Sequence, residues 1–275
     1  YDEANNLLQG LLKKNPNDYV LLRLLGYISY ETKDLVNGKA VMEKYFSLVP
    51  ADKILDDDYT YYGKMLSASG QDSLAIVNYN LALGKDSTQV QLYDEIAKSY
   101  KQMNNMDQSL IYSNKYIQKK PNKTVADYFN LGKAYYIAAN MLPDSIPADS
   151  LRKIGYAQTA DSVFSKVEEL APSSYLGPFW RARVNSLVDP DAIRGLSKPY
   201  YEKAMEILTK DTVKYKKEIS EVYTYMGFYY FQQKDEKLAS EYWNKLLEFD
   251  PTNKSALDGL AYIEKKKKAG NAAKQ

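Results

Sequence analysis

One spacing recurs along this chain and restricts its fold more than any other feature. A glycine or alanine sits inside a Tyr- and Leu-rich stretch at Leu25-Gly26, Tyr62-Gly63, Ile96-Ala97, Leu131-Gly132 and Met226-Gly227. A second small residue follows 12 positions later at Gly38, Ala75, Ser109 and Ala239, after the first, second, third and fifth of these. Proline follows 24 positions after the first small residue at Pro50, Pro121 and Pro251, and Ser87 takes that place in the second copy. Small side chains let two antiparallel helices cross closely, while large residues one turn away fill the gaps. Proline ends the second helix because it cannot continue the hydrogen-bond ladder. A helix hairpin cannot bury its own apolar face, so hairpins stack. The spacing therefore predicts an all-α fold of stacked hairpins, an α-α superhelix.

The pattern resembles the tetratricopeptide repeat (TPR), bacterial type, about 34 residues of helix–turn–helix in which W-x2-L-G-x2-Y precedes A-x3-F and a proline. The last full copy carries Tyr223, Met226-Gly227, Tyr230, Ala239, Trp243, Leu246 and Pro251, and the third carries Tyr93, Ile96-Ala97, Tyr100, Ser109, Tyr116 and Pro121. On this resemblance residues 1–275 form a single superhelix of about six repeats. A half repeat 1–18 lacks its first helix, which suggests truncation upstream; Ala4, Leu8, Leu11 and Pro16 occupy second-helix places. Repeats follow at about 19–52, 53–89, 90–124, 125–174, 175–219 and 220–253, with a capping helix at 254–275. Two are stretched. Gly132 and Ala160 are 28 apart, which leaves a loop from Met141 to Pro147 and an extended second helix. Ala182 and Ala204 are 22 apart, around Asp189-Pro190 and Lys198-Pro199.

The family's concave groove is lined mainly by first helices and holds peptides. The resemblance points to three places: one after the small residue, four after it and three before it. One after come Tyr27, Lys64, Lys98, Lys133, Arg183 and Phe228; four after come Tyr30, Ser67, Lys101, Tyr136, Ser186 and Phe231. Three before come Arg23, Thr60, Asp94, Phe129, Phe179 and Thr224. Four successive cations with aromatics at both ends would attract an extended acidic segment or a chain terminus. The family's chaperone-tail clamp also needs a middle asparagine and a following Lys–Arg pair. Asn130 supplies the first, but Leu176 and Trp180 stand where the pair belongs. Such a clamp is not supported. Trp180, between Phe179 and Arg181, either fills the joint widened by the insertions or anchors a ligand beneath a stacked guanidinium.

Composition removes other functions. The 275 residues contain no histidine and no cysteine, so there is no imidazole base, thiol nucleophile or zinc finger. No convincing catalytic pair, phosphate loop or nucleophile elbow is present, and no cofactor or metal is expected. The run Asp56-Asp57-Asp58 reads as a helix cap, because calcium needs more oxygen ligands in a turn. Net charge is +2, yet residues 265–275 hold five lysines and no acid, so the rest carries 32 basic against 35 acidic residues, or −3. That is not a nucleic-acid binder's profile. No transmembrane run exists. The expected partner is another protein or peptide, met by a non-enzymatic scaffold. The alternative is an assembly module that self-associates through its end helices, near Leu7, Leu8, Leu11 and Leu12, or through the inserted loops near 140–155 and 187–199. Asp-Ser turns and the Trp180-Arg181-Ala182-Arg183 segment look like exported Gram-negative examples. The lean is therefore to a periplasmic or exported protein with its signal removed, with a cytoplasmic location still open.

Overall fold

The computed structural model describes residues 1–143 and 145–272, with side chains as far as Ala269. Asp144 of the expected loop and Lys274 of the expected basic tail lie outside the described residues. The described residues form fourteen α-helices and one short 3-10 turn joined by turns and loops, with no strand among them. The fold is an all-α solenoid of stacked helix pairs, in two compact units, Tyr1–Asn122 and Lys123–Gln275.

In unit 1, α1 (Asp2–Lys14) packs on α2 (Tyr19–Glu31), which pairs with α3 (Leu35–Leu48). The next hairpins are α4 (Asp56–Ala68) with α5 (Asp72–Lys85), and α6 (Gln91–Gln102) with α7 (Met106–Lys119). Met42, Tyr45 and Met65 fill one core, and Leu66, Tyr79, Leu92 and Ile96 the next. Unit 2 contains α8 (Val125–Met141) with α9 (Pro147–Leu170), α10 (Leu176–Val188) with α11 (Lys198–Leu208), and α12 (Lys216–Gln232) with α13 (Glu236–Phe249). Helix α14 (Lys254–Ala272) packs on α13 and α12. Its cores gather Phe179, Tyr201, Leu208 and Met226, then Trp243, Leu246 and Ile263.

At Gly26, Gly63 and Gly227 the small residue is a seat for a large one 16 positions later, and at Gly132 for Phe164 beyond the insertion. A Cβ on Gly63 would lie 2.7 Å from the Tyr79 ring, and one on Gly227 would lie 2.3 Å from the Trp243 indole. Tyr79 is fully buried and Trp243 is nearly so, so neither ring has room to retreat. The proline rule holds at each site, since α3, α7 and α13 end two residues before Pro50, Pro121 and Pro251. Seven positions after the small residue the chain turns through a left-handed residue: Lys33 (φ 65°), Gly70 (φ 72°), Asn104 (φ 57°) and Lys234 (φ 62°). The insertion after Gly132 is mostly helix, since α9 runs 24 residues from a proline at its first turn. That after Ala182 is a loop closed on buried Asp189, which accepts from the backbone N–H groups of Arg194 and Leu196, each at 3.2 Å. No described helix is long and apolar enough to cross a membrane.

Candidate functional site

Burial sorts the expected groove residues, unit by unit. In unit 1, α2 presents Tyr27 and Tyr30, both half-buried, and α4 presents Lys64. They meet on Tyr61, which lies two residues before the small residue of α4. Tyr27 stacks on it at 4.2 Å between ring centres, and Tyr30 meets it edge-on at 5.6 Å. The Lys64 ammonium sits 5.6 Å from the Tyr30 ring centre and 5.5 Å from that of Tyr61. Among the described residues Lys64 and Lys101 make no ion pair. Lys98 is exposed but engaged, with Asp94 at 2.8 Å and Glu95 at 3.0 Å. Partial burial lowers its pKa, but the two carboxylates outweigh that and push it up to about 12.

Beneath this layer lies a buried carboxylate. Asp58 is fully buried and accepts from Arg23 Nε at 2.9 Å, Tyr27 Oη at 2.6 Å, Tyr45 Oη at 2.5 Å and the Leu55 backbone N–H at 2.6 Å. The acidic run does cap α4, as the Leu55 bond shows, and Asp58 also anchors Arg23. Desolvation, then the bond to Asp58, raises the pKa of Tyr27 far above the ordinary phenol range. Tyr45 is raised by the same two causes.

In unit 2, Lys133 and Asn130 on α8 are exposed. Lys133 lies 5.9 Å from the Trp180 ring centre. Trp180 stacks on Phe164 at 5.5 Å and takes Phe129 and Tyr136 edge-on at 5.5 and 5.3 Å, so it fills the joint between the α8–α9 and α10–α11 hairpins. The guanidinium of Arg183 lies 4.8 Å over Trp180 and 4.7 Å over Phe179. Arg181 turns the other way, to Asp161 and Glu168.

Two expectations are corrected here. Arg183 is not an open cation: its Nε and Nη2 bond Glu221 Oε1 and Oε2 at 2.8 and 2.5 Å. Phe179 is only 2% exposed and belongs to the core between α10 and α11, because three residues before the small residue the helix here faces inward. Phe231 is half-buried, with one side packed on Trp243 and Tyr262 against the C-terminal core. Phe228 does stand at the surface, 37% exposed. It lines a cleft of about 450 Å³ with Ser186, Tyr201, Glu221, Thr224 and Trp243 among its walls. Ser186 and Thr224 occupy the places the resemblance singled out, whereas Glu221, Tyr201 and Trp243 do not. Glu221 escapes the pattern because it stands six before Gly227, one turn before Thr224 on the same face of α12, and the resemblance singles out no such place. Tyr61 had no comparable signal.

At the N-terminal edge, Leu8 is buried and Leu12 packs inward, while Leu7 and Leu11 are 64% and 39% exposed. No group of described acidic residues is arranged to hold a metal ion.

No family model matches the sequence, and no curated protein does. Solved structures do. The C-terminal part of a TPR repeat-containing protein from Cytophaga hutchinsonii is 36% identical, with 94% of each chain covered and a TM-score of 0.62. The structure of Naa15/Naa10 bound to HypK-THB is 16% identical with a TM-score of 0.61, over 93% of this chain and 35% of that one, a likeness of fold alone. At the identity and coverage of the first match, with the small-residue seats and proline stops in place, the chain belongs to the tetratricopeptide-repeat family.

Proposed function

We propose that the protein is a non-enzymatic scaffold that binds an extended segment of another protein, acidic or ending in a free carboxylate, along its first-helix faces. Lys64 carries the reading: an ammonium held against two tyrosine rings, with Asp57 in its field but no carboxylate at ion-pair distance, is placed to accept an anion. Lys101 and Lys133 are exposed and add to the field, and Tyr27 and Tyr30 offer flat area that loses little entropy on binding. Arg183 drops out, since Glu221 already neutralises it. The absence of imidazole and thiol suits a scaffold that needs no reactive group.

The test is calorimetric titration of a hexaglutamate peptide with a free C-terminus against the wild type and the triple variant Lys64→Glu, Lys101→Glu, Lys133→Glu. Binding should fall at least tenfold in the variant and weaken with salt in the wild type. Equal affinity for both proteins overturns the reading.

A further inference from the structure

The cleft of unit 2 differs in character from the cationic places, and its walls specify a different ligand. Its volume of about 450 Å³ lies within the range of small ligand sites, about 300–1,000 Å³. Aromatic rings dominate it. Tyr201 and Tyr225 lie 5.0 Å apart at a 44° tilt, Trp243 closes the floor, and Phe228 stands at the rim. Glu221 is the one charged residue among those lining it, and its charge is spent inside the wall. Both its oxygens take Arg183, and Oε1 also accepts from Tyr201 Oη at 2.9 Å. A pair closed bidentately leaves no net charge for a ligand to answer. The phenyl of Phe228 adds nothing to the core clusters of this unit, yet it extends the ring surface of the cleft outward.

We propose that this cleft is a separate subsite that takes one uncharged aromatic side chain of the bound partner segment. Charge decides the class: an acidic side chain would meet Glu221 and find Arg183 occupied, and a basic one would find Glu221 occupied. The rings decide the kind, because tilted aromatic walls favour edge-to-face contact with a further ring. Glu221 is then the specificity-determining residue, as the group that cancels Arg183. The inference rests on the reading that a protein segment is the ligand, but it concerns other residues than Lys64 and is tested apart from it.

The chain has two tryptophans, and only Trp243 lines the cleft, so the two indole N–H resonances in a ¹H–¹⁵N spectrum give a local readout and an internal control. The probes are N-acetylphenylalaninamide, its leucine and alanine analogues, and N-acetylglutamate amide. The phenylalanine probe should shift the Trp243 resonance saturably and leave Trp180 in place, with leucine weaker and alanine and glutamate inert. Phe228→Ala, at an exposed position, should weaken the phenylalanine response at least fivefold. Glu221→Gln, which keeps the shape and frees the Arg183 charge, should make the glutamate probe shift Trp243. A Trp243 resonance that does not saturate, or a leucine or alanine response equal to that of phenylalanine, overturns the subsite. A Glu221→Gln protein still silent to glutamate overturns the charge argument. Hexaglutamate binding that survives Phe228→Ala leaves the scaffold reading standing even if the subsite fails.

Discussion

Asp58 in unit 1 and Glu221 in unit 2 each accept hydrogen bonds from an arginine and a tyrosine, yet they lie at different depths. Asp58 is fully buried, receives four donors and has Arg23 beside it with its side chain 15% exposed. Glu221 and Arg183 are each 32% exposed, and Glu221 lines the cleft. Depth changes what the same chemistry can do. A buried pair is costly to break, because the remaining charge is left without water or partner. A half-exposed pair contributes little to stability, so replacing one member changes mainly the charge presented around it. The deep device belongs to the fold of unit 1, and the shallow one sets the charge of the cleft wall on which the proposed subsite of unit 2 depends.

The sharpest way to break this contrast is Asp58→Ala. It removes the counter-charge of Arg23, which keeps only Tyr45 Oη and the Lys53 carbonyl as acceptors, takes the carboxylate from two phenol hydroxyls, and should lower stability by about 3–5 kcal/mol in urea denaturation. A loss under about 1 kcal/mol would place Asp58 with ordinary surface pairs and erase the difference between the units.

Tyr27→Phe probes the same site more gently and gives it a pH signature. The hydroxyl bonds a buried carboxylate, so its removal should lose about 1.5–3 kcal/mol at neutral pH. The folded pKa of Tyr27 is raised, so its stabilising contribution is complete below the unfolded value and is lost as pH rises. Above about pH 10 the unfolded chain ionises this tyrosine while the folded one holds its proton. Wild-type stability should then fall relative to the variant by about 1.4 kcal/mol per pH unit. Parallel alkaline limbs for the two proteins would show that Tyr27 titrates as if exposed.

Glu221→Gln should be the mildest loss, about 1 kcal/mol or less, since the pair is a third exposed and the amide oxygen still accepts from Tyr201. A loss as large as that of Asp58→Ala would make the unit 2 pair structural after all.

What could be read from the sequence divides along the same line. The seats and stops were legible because they are local: Gly63 and Gly227 face Tyr79 and Trp243 at a fixed spacing, and Pro50, Pro121 and Pro251 can only end a helix. The cations could be found by position, but their partners could not. Arg183 meets Glu221 across 38 residues, and Glu221, six before Gly227, holds none of the three places that the resemblance singles out. Asp58 reads as a cap, which it is, but the sequence has no sign that Arg23 arrives from 35 residues away. Phe179 shows the remaining failure. A place on a helix names a direction, and whether that direction is groove or core depends on how the next hairpin packs.

The smallest expected effects come from the turns, and they ask whether the units differ outside these two sites. Lys33 and Lys234 both hold the left-handed turn residue, at φ 65° and 62°. Glycine there relieves a strain of about 1–2 kcal/mol. The greater freedom of glycine in the unfolded chain returns about 0.5–1 kcal/mol of that. Lys234→Gly should therefore stabilise by about 0.5 kcal/mol. Lys33 differs in one respect, since its ammonium lies 5.2 Å over the Tyr30 ring, and an exposed contact of this kind contributes about 0.5–1 kcal/mol. Lys33→Gly should then come out near zero. The double variant Lys33→Gly with Tyr30→Leu should recover the gain relative to Tyr30→Leu alone. If both lysine replacements instead stabilise equally, the tyrosine layer of unit 1 draws nothing from Lys33, and Lys64 is left as the cation that layer holds.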